Sequence, residues 1–281
     1  TCITVMNAAR KICKTEEARK GKLFVTCGLG GMSGAQPKAA KIADLVSVTA
    51  EINPKAVHTR HSQGWVDEVF DNLDLLMPRI KTAQANQEAI SLAYQGNVVD
   101  LWERLVKDDV SVDIGSDQSS LHNPWAGGYY PVGLSLEESN ELMASNPDKF
   151  KEQVQKTLVR HATAINTLTK KGMYFFDYGN AFLLEAGRAG ADIYETEKPI
   201  KDGHVGATFR YKSYVQDILG PMCFDYGFGP FRWVCTSANE NDLLKTDEIA
   251  LAVLKEICKT APEEIKQQLN DNITWIHDAM K

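Results

Sequence analysis

Two periodicities of apolar residues alternate along the N-terminal part of this chain. Short apolar or alternating runs predict β-strands, in which neighbouring side chains point to opposite faces. Such runs occupy residues 23–27, 45–50, 89–94, 112–114 and 174–176. Longer segments repeat apolar residues every three or four positions, which predicts helices that bury one face. These segments occupy residues 66–85, 98–106 and 148–171; an alanine-rich stretch at 39–46 and a helix at 135–146 that begins with a capping box complete the series.

Strands that alternate with helices in this order predict a parallel sheet with helices on both of its faces, the doubly wound α/β architecture. Ligands of such sheets bind beyond the carboxyl ends of the strands. We therefore expect the loops after Cys27, Ala50, Tyr94 and Ile114 to line one crevice. The pattern changes near residue 210, where an aromatic, glycine-broken stretch precedes two polar helices at 242–259 and 262–280. The sequence thus predicts one domain over residues 1–210 and part of a second over 211–281.

The strongest functional signal is the glycine-dense segment Gly28-Leu-Gly-Gly-Met-Ser-Gly34, between the first strand and the helix that follows. Such a turn presents backbone N–H groups and a positive helix end to a pyrophosphate. Glu51 ends the second strand, about twenty residues on, where an acid accepts a hydrogen bond from the ribose 2′-hydroxyl of a dinucleotide. Its charge would repel a 2′-phosphate, which favours NAD over NADP. An ordinary strand-to-helix loop is the alternative, but the acid in register favours a Rossmann-like NAD-binding domain.

Composition and charge exclude several other classes of protein. The chain has 281 residues, 43% of them apolar, and a formal net charge of −6 without a run of basic residues. A nucleic-acid or anionic membrane partner would require a basic footprint, and no apolar run is long enough for a membrane span. The six cysteines show no paired spacing, so we expect free thiols, no metal site and a cytoplasmic location. The chain begins with Thr1 within a helical pattern, which suggests a segment of a longer protein.

The long segment at 116–133 carries polar side chains where a cofactor could reach them. Connections of this length without a helix or strand are often functional. Gln118, Ser119, Ser120 and His122 lie close together in it, and their donors and acceptors suit a ribose or a nicotinamide. A loop histidine is often only a solvated side chain, but the surrounding polar residues favour a functional role for His122.

Four further residues have both a functional and a structural interpretation. Arg232 lies between two aromatic residues, which suits either a bidentate grip on a substrate carboxylate or a structural stacking. Tyr178 follows a strand and could contact a bound ring or simply occupy a turn. Cys235 has no assignable base, and His161 lies beside the apolar stripe of its helix. We therefore expect packing roles for Cys235 and His161.

The order of four motifs resembles that of the urocanase family. The motifs are Gly28-Leu-Gly-Gly-Met-Ser-Gly-Ala-Gln-Pro37, Asp117-Gln-Ser-Ser-Leu-His122 followed by Tyr129-Tyr130-Pro131, Phe176-Asp-Tyr-Gly-Asn180, and Gly229-Pro-Phe-Arg-Trp233. The resemblance covers nearly the whole chain. It implies a Rossmann-like NAD-binding domain inserted into a core domain, a homodimer, and the addition of water to urocanate to give imidazolone propionate in histidine breakdown.

The resemblance also implies roles for particular residues. NAD+ is held tightly in this family and acts as an electrophile towards the imidazole of the substrate, without net hydride transfer. Arg232 would hold the propenoate carboxylate of urocanate. The residues that the resemblance carries over to the cofactor pocket are Gly30, Gly31, Met32, Ser33, Glu51, Asn97, Val98, Gln118, Ser119, Ser120, Leu121, His122, Tyr129, Tyr130 and Tyr178.

The chain departs from the family pattern at several positions. Ser33 stands where bacterial relatives have glycine, and Ala56 where they have an arginine near the cofactor, a contact that Lys55 could replace. The essential cysteine and the proton-handling acid of the family would lie past Lys281. The segment then holds no complete catalytic set, and we expect these residues alone to be inactive.

Two other functions fit the residues when the resemblance is set aside. A nicotinamide-dependent dehydrogenase would use His122 as its acid–base group and would form free NADH in the presence of its substrate. A non-catalytic NAD-binding module would hold the cofactor and leave urocanate unchanged.

Overall fold

A seven-stranded parallel sheet lies at the centre of the molecule. The computed structural model describes residues 1–196, 208–229 and 233–281. The strands are β1 (Leu23–Cys27), β2 (Val46–Glu51), β3 (Glu68–Phe70), β4 (Ile90–Gln95), β5 (Ile114–Asp117), β6 (Tyr174–Asp177), β7 (Tyr194–Thr196), β8 (Thr208–Phe209) and β9 (Lys212–Ser213). The sheet order is β3-β4-β2-β1-β5-β6-β9, with every neighbouring pair parallel, and β7 and β8 form a separate antiparallel ribbon.

Helices connect the strands and cover both faces of the sheet. They are α1 (Cys2–Ile12), α2 (Gln36–Ile42), α3 (Pro54–Ser62), α4 (Leu73–Ala85), α5 (Val98–Lys107), α6 (Leu136–Ser145), α7 (Pro147–Lys170), α8 (Phe182–Arg188), α9 (Gly220–Met222), α10 (Glu240–Cys258) and α11 (Glu263–Ala279). Over the described ranges, none of them is long and apolar enough to cross a membrane. The predicted doubly wound α/β architecture is confirmed.

Strand β1 shows why the central strands have near-continuous apolar sequences. All of its residues are buried. Leu23, Val25 and Cys27 pack in the core cluster that contains residues of α4, α5 and α7, whereas Phe24 packs on the opposite face with residues of α1 and α2. A parallel strand that is covered on both faces needs apolar side chains at both sets of alternating positions. Burial of this surface, worth about 25 cal/mol per Å² of apolar area, favours the folded state.

Several predicted elements are confirmed within one or two residues. The strand at 23–27 has the predicted bounds, and the helices predicted at 98–106, 135–146 and 148–171 correspond to α5, α6 and α7. The capping box of α6 is present: the Ser135 hydroxyl accepts the N–H of Glu138 at 3.1 Å, and the Glu138 carboxylate accepts the N–H of Ser135 at 2.7 Å. This cap fixes where α6 begins.

The single helix predicted over residues 66–85 is wrong in its first part. Residues 68–70 form β3, the edge strand that pairs with β4. Helix α4 begins only after Asn72, whose side chain accepts the N–H of Asp74 at 2.7 Å. A three-residue strand is too short to show a clear alternation of buried and exposed residues. Val66 and Val69 therefore fit a helical spacing as well as a strand.

The sequence pattern also misplaces strand β5 and does not reveal helix α3. The strand predicted at 112–114 is displaced, because β5 extends to Asp117 and includes the buried polar residues Ser116 and Asp117. Helix α3 shows no apolar stripe since Val57 is its one buried residue. Its start depends instead on the Asn53 side chain, which accepts the N–H of Lys55 at 3.0 Å.

The two C-terminal helices are confirmed, and α11 packs against α1. Arg10 donates to both carboxylate oxygens of Asp271, at 2.5 and 2.6 Å. Asn7 and Gln268 exchange two hydrogen bonds of 2.9 and 3.0 Å. These buried polar contacts hold α11 against α1, one of the helices that cover the seven-stranded sheet. Strand β9 extends that sheet past residue 210, and the domain boundary placed there stays a prediction.

Candidate functional site

A cleft opens at the carboxyl ends of four parallel strands. It is lined by segments that follow β1, β2, β4 and β5, at residues 27–33, 50–53, 96–98 and 118–130. The expectation that these four loops line one crevice is confirmed. The chain leaves β1 towards β2 on one side, whereas β5 pairs with β1 on the other side. The cleft therefore lies at the topological switch point of the sheet, the usual ligand site of this architecture.

The glycine turn after β1 forms one wall of the cleft. Gly28 has φ +91°, and a Cβ there would lie 2.7 Å from the Ser33 hydroxyl and 3.0 Å from the Gln118 carbonyl oxygen. Only glycine fits this conformation and this space. The Ser33 hydroxyl accepts the N–H of Gly30 at 3.1 Å, so the serine at this position closes the turn internally.

Arg60 of α3 holds the same turn from outside the cleft. Its Nε donates to the carbonyl of Leu29 at 3.1 Å and its Nη2 to the carbonyl of Gly30 at 2.7 Å. The guanidinium also lies 4.8 Å from the ring centroid of Trp65, within cation–π distance. Sequence reasoning missed Arg60, because nothing in the polar sequence of α3 indicates that its side chain reaches the turn.

Glu51 connects the turn to the end of β2. One carboxylate oxygen accepts the N–H of Leu29 at 2.8 Å, and the other accepts the N–H of Asn53 at 2.9 Å. A carboxylate has about four acceptor positions, so acceptor capacity remains on the cleft side for a ribose hydroxyl. Glu51, the residue predicted to bind the ribose, therefore lies in the cleft, and two backbone N–H groups orient its carboxylate.

The opposite wall is built from the start of α5 and the segment before α6. The side-chain oxygen of Asn97 accepts the N–H of Val99 at 2.9 Å, and its side-chain nitrogen donates to the carbonyl of Tyr130 at 3.0 Å. Tyr129 is buried, and its hydroxyl lies 3.0 Å from Nδ1 of His161. Burial lowers the pKa of His161 to about 4, so this histidine is neutral near pH 7. The packing role expected for His161 is confirmed by its full burial.

A buried acid lies directly under the floor of the cleft. Asp117 accepts hydrogen bonds from the Cys27 thiol at 2.7 Å, from the N–H and hydroxyl of Ser119 at 3.1 and 2.6 Å, and from the Asn180 amide at 2.5 Å. Burial and, next, the charge of Asp117 raise the pKa of the Cys27 thiol well above its usual range. Cys27 is therefore a protonated donor and not a nucleophile. The sequence contains Asp117 in a motif but gives no sign of this network.

The structure brings most of the predicted cofactor residues together and leaves others away from the cleft. Those that line it are Gly30, Ser33, Glu51, Asn97, Val98, Gln118, Ser119, Ser120, Tyr129 and Tyr130. Gly31 and Met32 lie at the exposed tip of the glycine turn, and Met32 is 93% exposed. Their assignment to the cofactor stays a prediction.

Four other predicted residues lie elsewhere or outside the described ranges. Leu121 is buried in the main core because its side chain packs inward, and the His122 side chain is exposed to solvent beside it. Tyr178 packs between the rings of Phe176 and Tyr214, with centroid distances of 5.2 and 5.1 Å. Arg232 lies outside the described residues. The roles of all four stay predictions.

The residues of the cleft fit a dinucleotide. A Cβ at Gly31 would meet no atom within 4 Å, so the turn offers open space for a phosphate. Gln118 lines the cleft, and its side-chain oxygen is buried and has no hydrogen-bond partner in the described part of the chain. An unpaired buried acceptor is costly, and a ligand N–H would satisfy it. The enclosed volume is about 200 Å³, so a dinucleotide would extend from it along the open turn.

The structure offers no comparable metal site. Within residues 1–196, 208–229 and 233–281, His, Cys, Asp and Glu side chains form no group of three that could hold a metal ion. A larger apolar groove of about 620 Å³ lies between α1, α2 and α11, and it contains one charged side chain, Lys38. It lacks the converging polar groups of the cleft and is the weaker candidate for a reactive ligand.

Known proteins resemble this chain over nearly all of its length. A family model described as the urocanase Rossmann-like domain matches residues 1–218, and one described as the urocanase C-terminal domain matches residues 221–281. The chain is 54% identical over 282 residues to a probable urocanate hydratase of Dictyostelium discoideum, and 52% identical over 287 residues to the urocanate hydratases of Mus musculus and Homo sapiens. The alignments cover 99% to 100% of this chain, which spans 41% of the length of each relative.

Proposed function

The chain belongs to the urocanase family, and on that premise we propose that the protein carrying it is a urocanate hydratase with NAD+ bound in the cleft. The reaction is the addition of water to urocanate to give 4-imidazolone-5-propanoate. The observation that carries the proposal is the convergence of the glycine turn, Glu51 and the unpaired Gln118 acceptor in one cleft.

Particular groups of this chain would hold the cofactor. The glycine turn, fixed by Arg60 and Ser33, receives the pyrophosphate. Glu51 accepts from a ribose hydroxyl, and its charge disfavours the 2′-phosphate of NADP. The Gln118 oxygen accepts a ligand N–H. The remaining cofactor residues that we propose are Gly30, Gly31, Met32, Asn97, Val98, Ser119, Ser120, Leu121, His122, Tyr129, Tyr130 and Tyr178.

The chemistry divides between the cofactor and the chain. When bound, NAD+ supplies an electron-poor ring that draws electron density from the imidazole of urocanate. The chain's own residues bind and orient: Asn97 fixes the backbone at Tyr130 across the cleft, and the buried Tyr129–His161 pair keeps the wall opposite the glycine turn ordered. Arg232, outside the described residues, is proposed to hold the substrate carboxylate by a bidentate contact.

The proposal extends to the setting of the enzyme. Its partner is a small-molecule substrate, urocanate, and its place is histidine breakdown. We propose a homodimer in the cytoplasm, as the urocanase resemblance implies. The net charge of −6 and the lack of a basic run favour neither nucleic acid nor an anionic membrane as a partner.

The test measures urocanate and the cofactor separately. The protein carrying this chain is incubated with urocanate, and the loss of its ultraviolet absorbance is followed while NADH fluorescence is recorded. We expect urocanate to disappear without NADH, and NAD+ to appear in the supernatant of denatured protein by mass analysis. Formation of free NADH would instead indicate a dehydrogenase. Bound NAD+ without turnover would indicate a non-catalytic module.

A pair of variants tests whether NAD+ binds in the cleft. Glu51→Ser should weaken NAD+ binding about tenfold and reduce the preference for NAD+ over NADP+, because the ribose acceptor and its charge are removed. Glu137→Gln, on the exposed first turn of α6, is the matched control and should change neither. Equal preference of the unchanged protein for NAD+ and NADP+ would contradict the assigned role of Glu51. The 281-residue chain alone should turn over no urocanate.

A further inference from the structure

Asp117 places a buried carboxylate beneath the cleft. Asp117 is 1% exposed, and it is the acceptor in each of its hydrogen bonds within the described part of the chain. The Asn180 amide nitrogen also donates to the carbonyl of Ser119 at 2.9 Å, which fixes its orientation as a donor towards Asp117. Each of these contacts is one in which a carboxylate oxygen can act as the acceptor.

This charge has no cationic partner on the protein side. Among the residues that the structure describes, no lysine, arginine or histidine forms an ion pair with Asp117. Removal of a lone carboxylate from water is expensive, and hydrogen bonds offset only part of that cost. A positive group on a ligand would compensate the remainder.

Asp117 lies within one layer of side chains from the cleft. Cys27 and Ser119, which both donate to it, line the cleft directly. Asp117 ends β5, on the side of β1 opposite to β2 and Glu51. A dinucleotide bound across the switch point, with its adenosine ribose at Glu51, has its second half on the β5 side. The buried charge therefore lies on the nicotinamide side of the cleft.

We propose that Asp117 determines the oxidation state of the cofactor that the cleft binds, because its buried negative charge favours the cationic nicotinamide ring of NAD+ over the neutral ring of NADH. The inference depends on the proposed NAD+ site. Two unit charges about 10 Å apart in a protein of effective dielectric near 20 attract enough to change a dissociation constant about tenfold. Asp117 acts on the ring through space and is not a proton donor to the substrate.

The experiment compares the affinities of three nucleotides. Dissociation constants for NAD+, NADH and ADP-ribose are measured by calorimetry on the protein carrying this chain, after removal of bound nucleotide. Asp117→Asn keeps the size of the side chain and removes its charge. Asn180→Ala is the matched control, because it removes the hydrogen bonds that Asn180 donates to Asp117 and to the Ser119 carbonyl and keeps the carboxylate.

The expected result is a change in the ratio of the NAD+ and NADH dissociation constants, and not only in each constant. The unchanged protein should bind NAD+ about tenfold more tightly than NADH, and Asp117→Asn should reduce this preference to about twofold or less. Asn180→Ala should weaken the binding of NAD+ and of NADH to the same extent. A preference that survives in Asp117→Asn would overturn the inference. If that variant does not fold, equal affinity of the unchanged protein for NAD+ and NADH overturns it. Failure of all three nucleotides to bind would instead refute the proposed cofactor site itself.

Discussion

Replacement of Gly34 by alanine tests whether the glycine turn depends on Arg60. A methyl group at Gly34 would overlap Nε of Arg60 and lie 2.7 Å from Cζ and 2.8 Å from Nη2. The guanidinium must then withdraw and lose its hydrogen bonds to the carbonyls of Leu29 and Gly30. Hydrogen bonds to charged groups contribute about 1.5–3 kcal/mol each when protected. Since Arg60 is half-buried, we expect a total loss of about 2 kcal/mol from Gly34→Ala.

The assay is a double-mutant cycle by urea unfolding of this chain. Arg60→Ala should cost about the same as Gly34→Ala, and the double variant little more than either, because the clash disappears with the arginine. The coupling should therefore be about 1–2 kcal/mol. Gly31→Ala is the control in the same turn and should be close to neutral, since its Cβ would meet open space. Additive losses in the double variant would refute the reasoning.

Three further changes test the electrostatics and capping of the fold by urea unfolding. Burial raises the pKa of Asp177 to about 6, above an unfolded value near 3.9. The folded state therefore loses stability as pH rises from about 4 to 6. Asp177→Asn should then add roughly 1–3 kcal/mol to the free energy of unfolding at about pH 7.5 and little at about pH 4. Asp271→Ala leaves the buried Arg10 without its partner and should cost about 3–5 kcal/mol, most of it recovered by adding Arg10→Met. Ser135→Ala removes the α6 cap and should lower the free energy of unfolding by about 1 kcal/mol at an unchanged m-value.

The parts of the fold that sequence patterns predict are those whose burial is regular. Helix α7 repeats its buried residues at helical spacing, among them Phe150, Val154, Leu158 and Ile165, and β1 is apolar throughout. Both patterns follow from contact with the core alone. Edge strand β3 and polar helix α3 bury few residues, so their positions depend on neighbours in the sheet that no local period reports.

The same distinction applies to the cleft. The glycine turn and Glu51 can be predicted, because a strand, a turn and a second strand fix their relation over a short stretch of chain. The Asp117 network cannot, because Asn180 reaches it from 63 residues away through the pairing of β5 with β6. The placement of His122 in solvent is equally invisible in sequence, since it depends on Leu121 turning inward to the core.

Arg60 of α3 supplies a positive charge beside the glycine turn. At position 56, where the resemblance implies an arginine in bacterial relatives, Ala56 is half-buried and packs against the cluster that contains Leu29. Arg60 follows one helical turn later, on the same face of α3, because residues four apart align along a helix. Its guanidinium contacts the carbonyls of the turn. A positive charge therefore lies beside the turn on Arg60, whereas Lys55 is exposed. Its loss should weaken the binding of any pyrophosphate there as well as the fold.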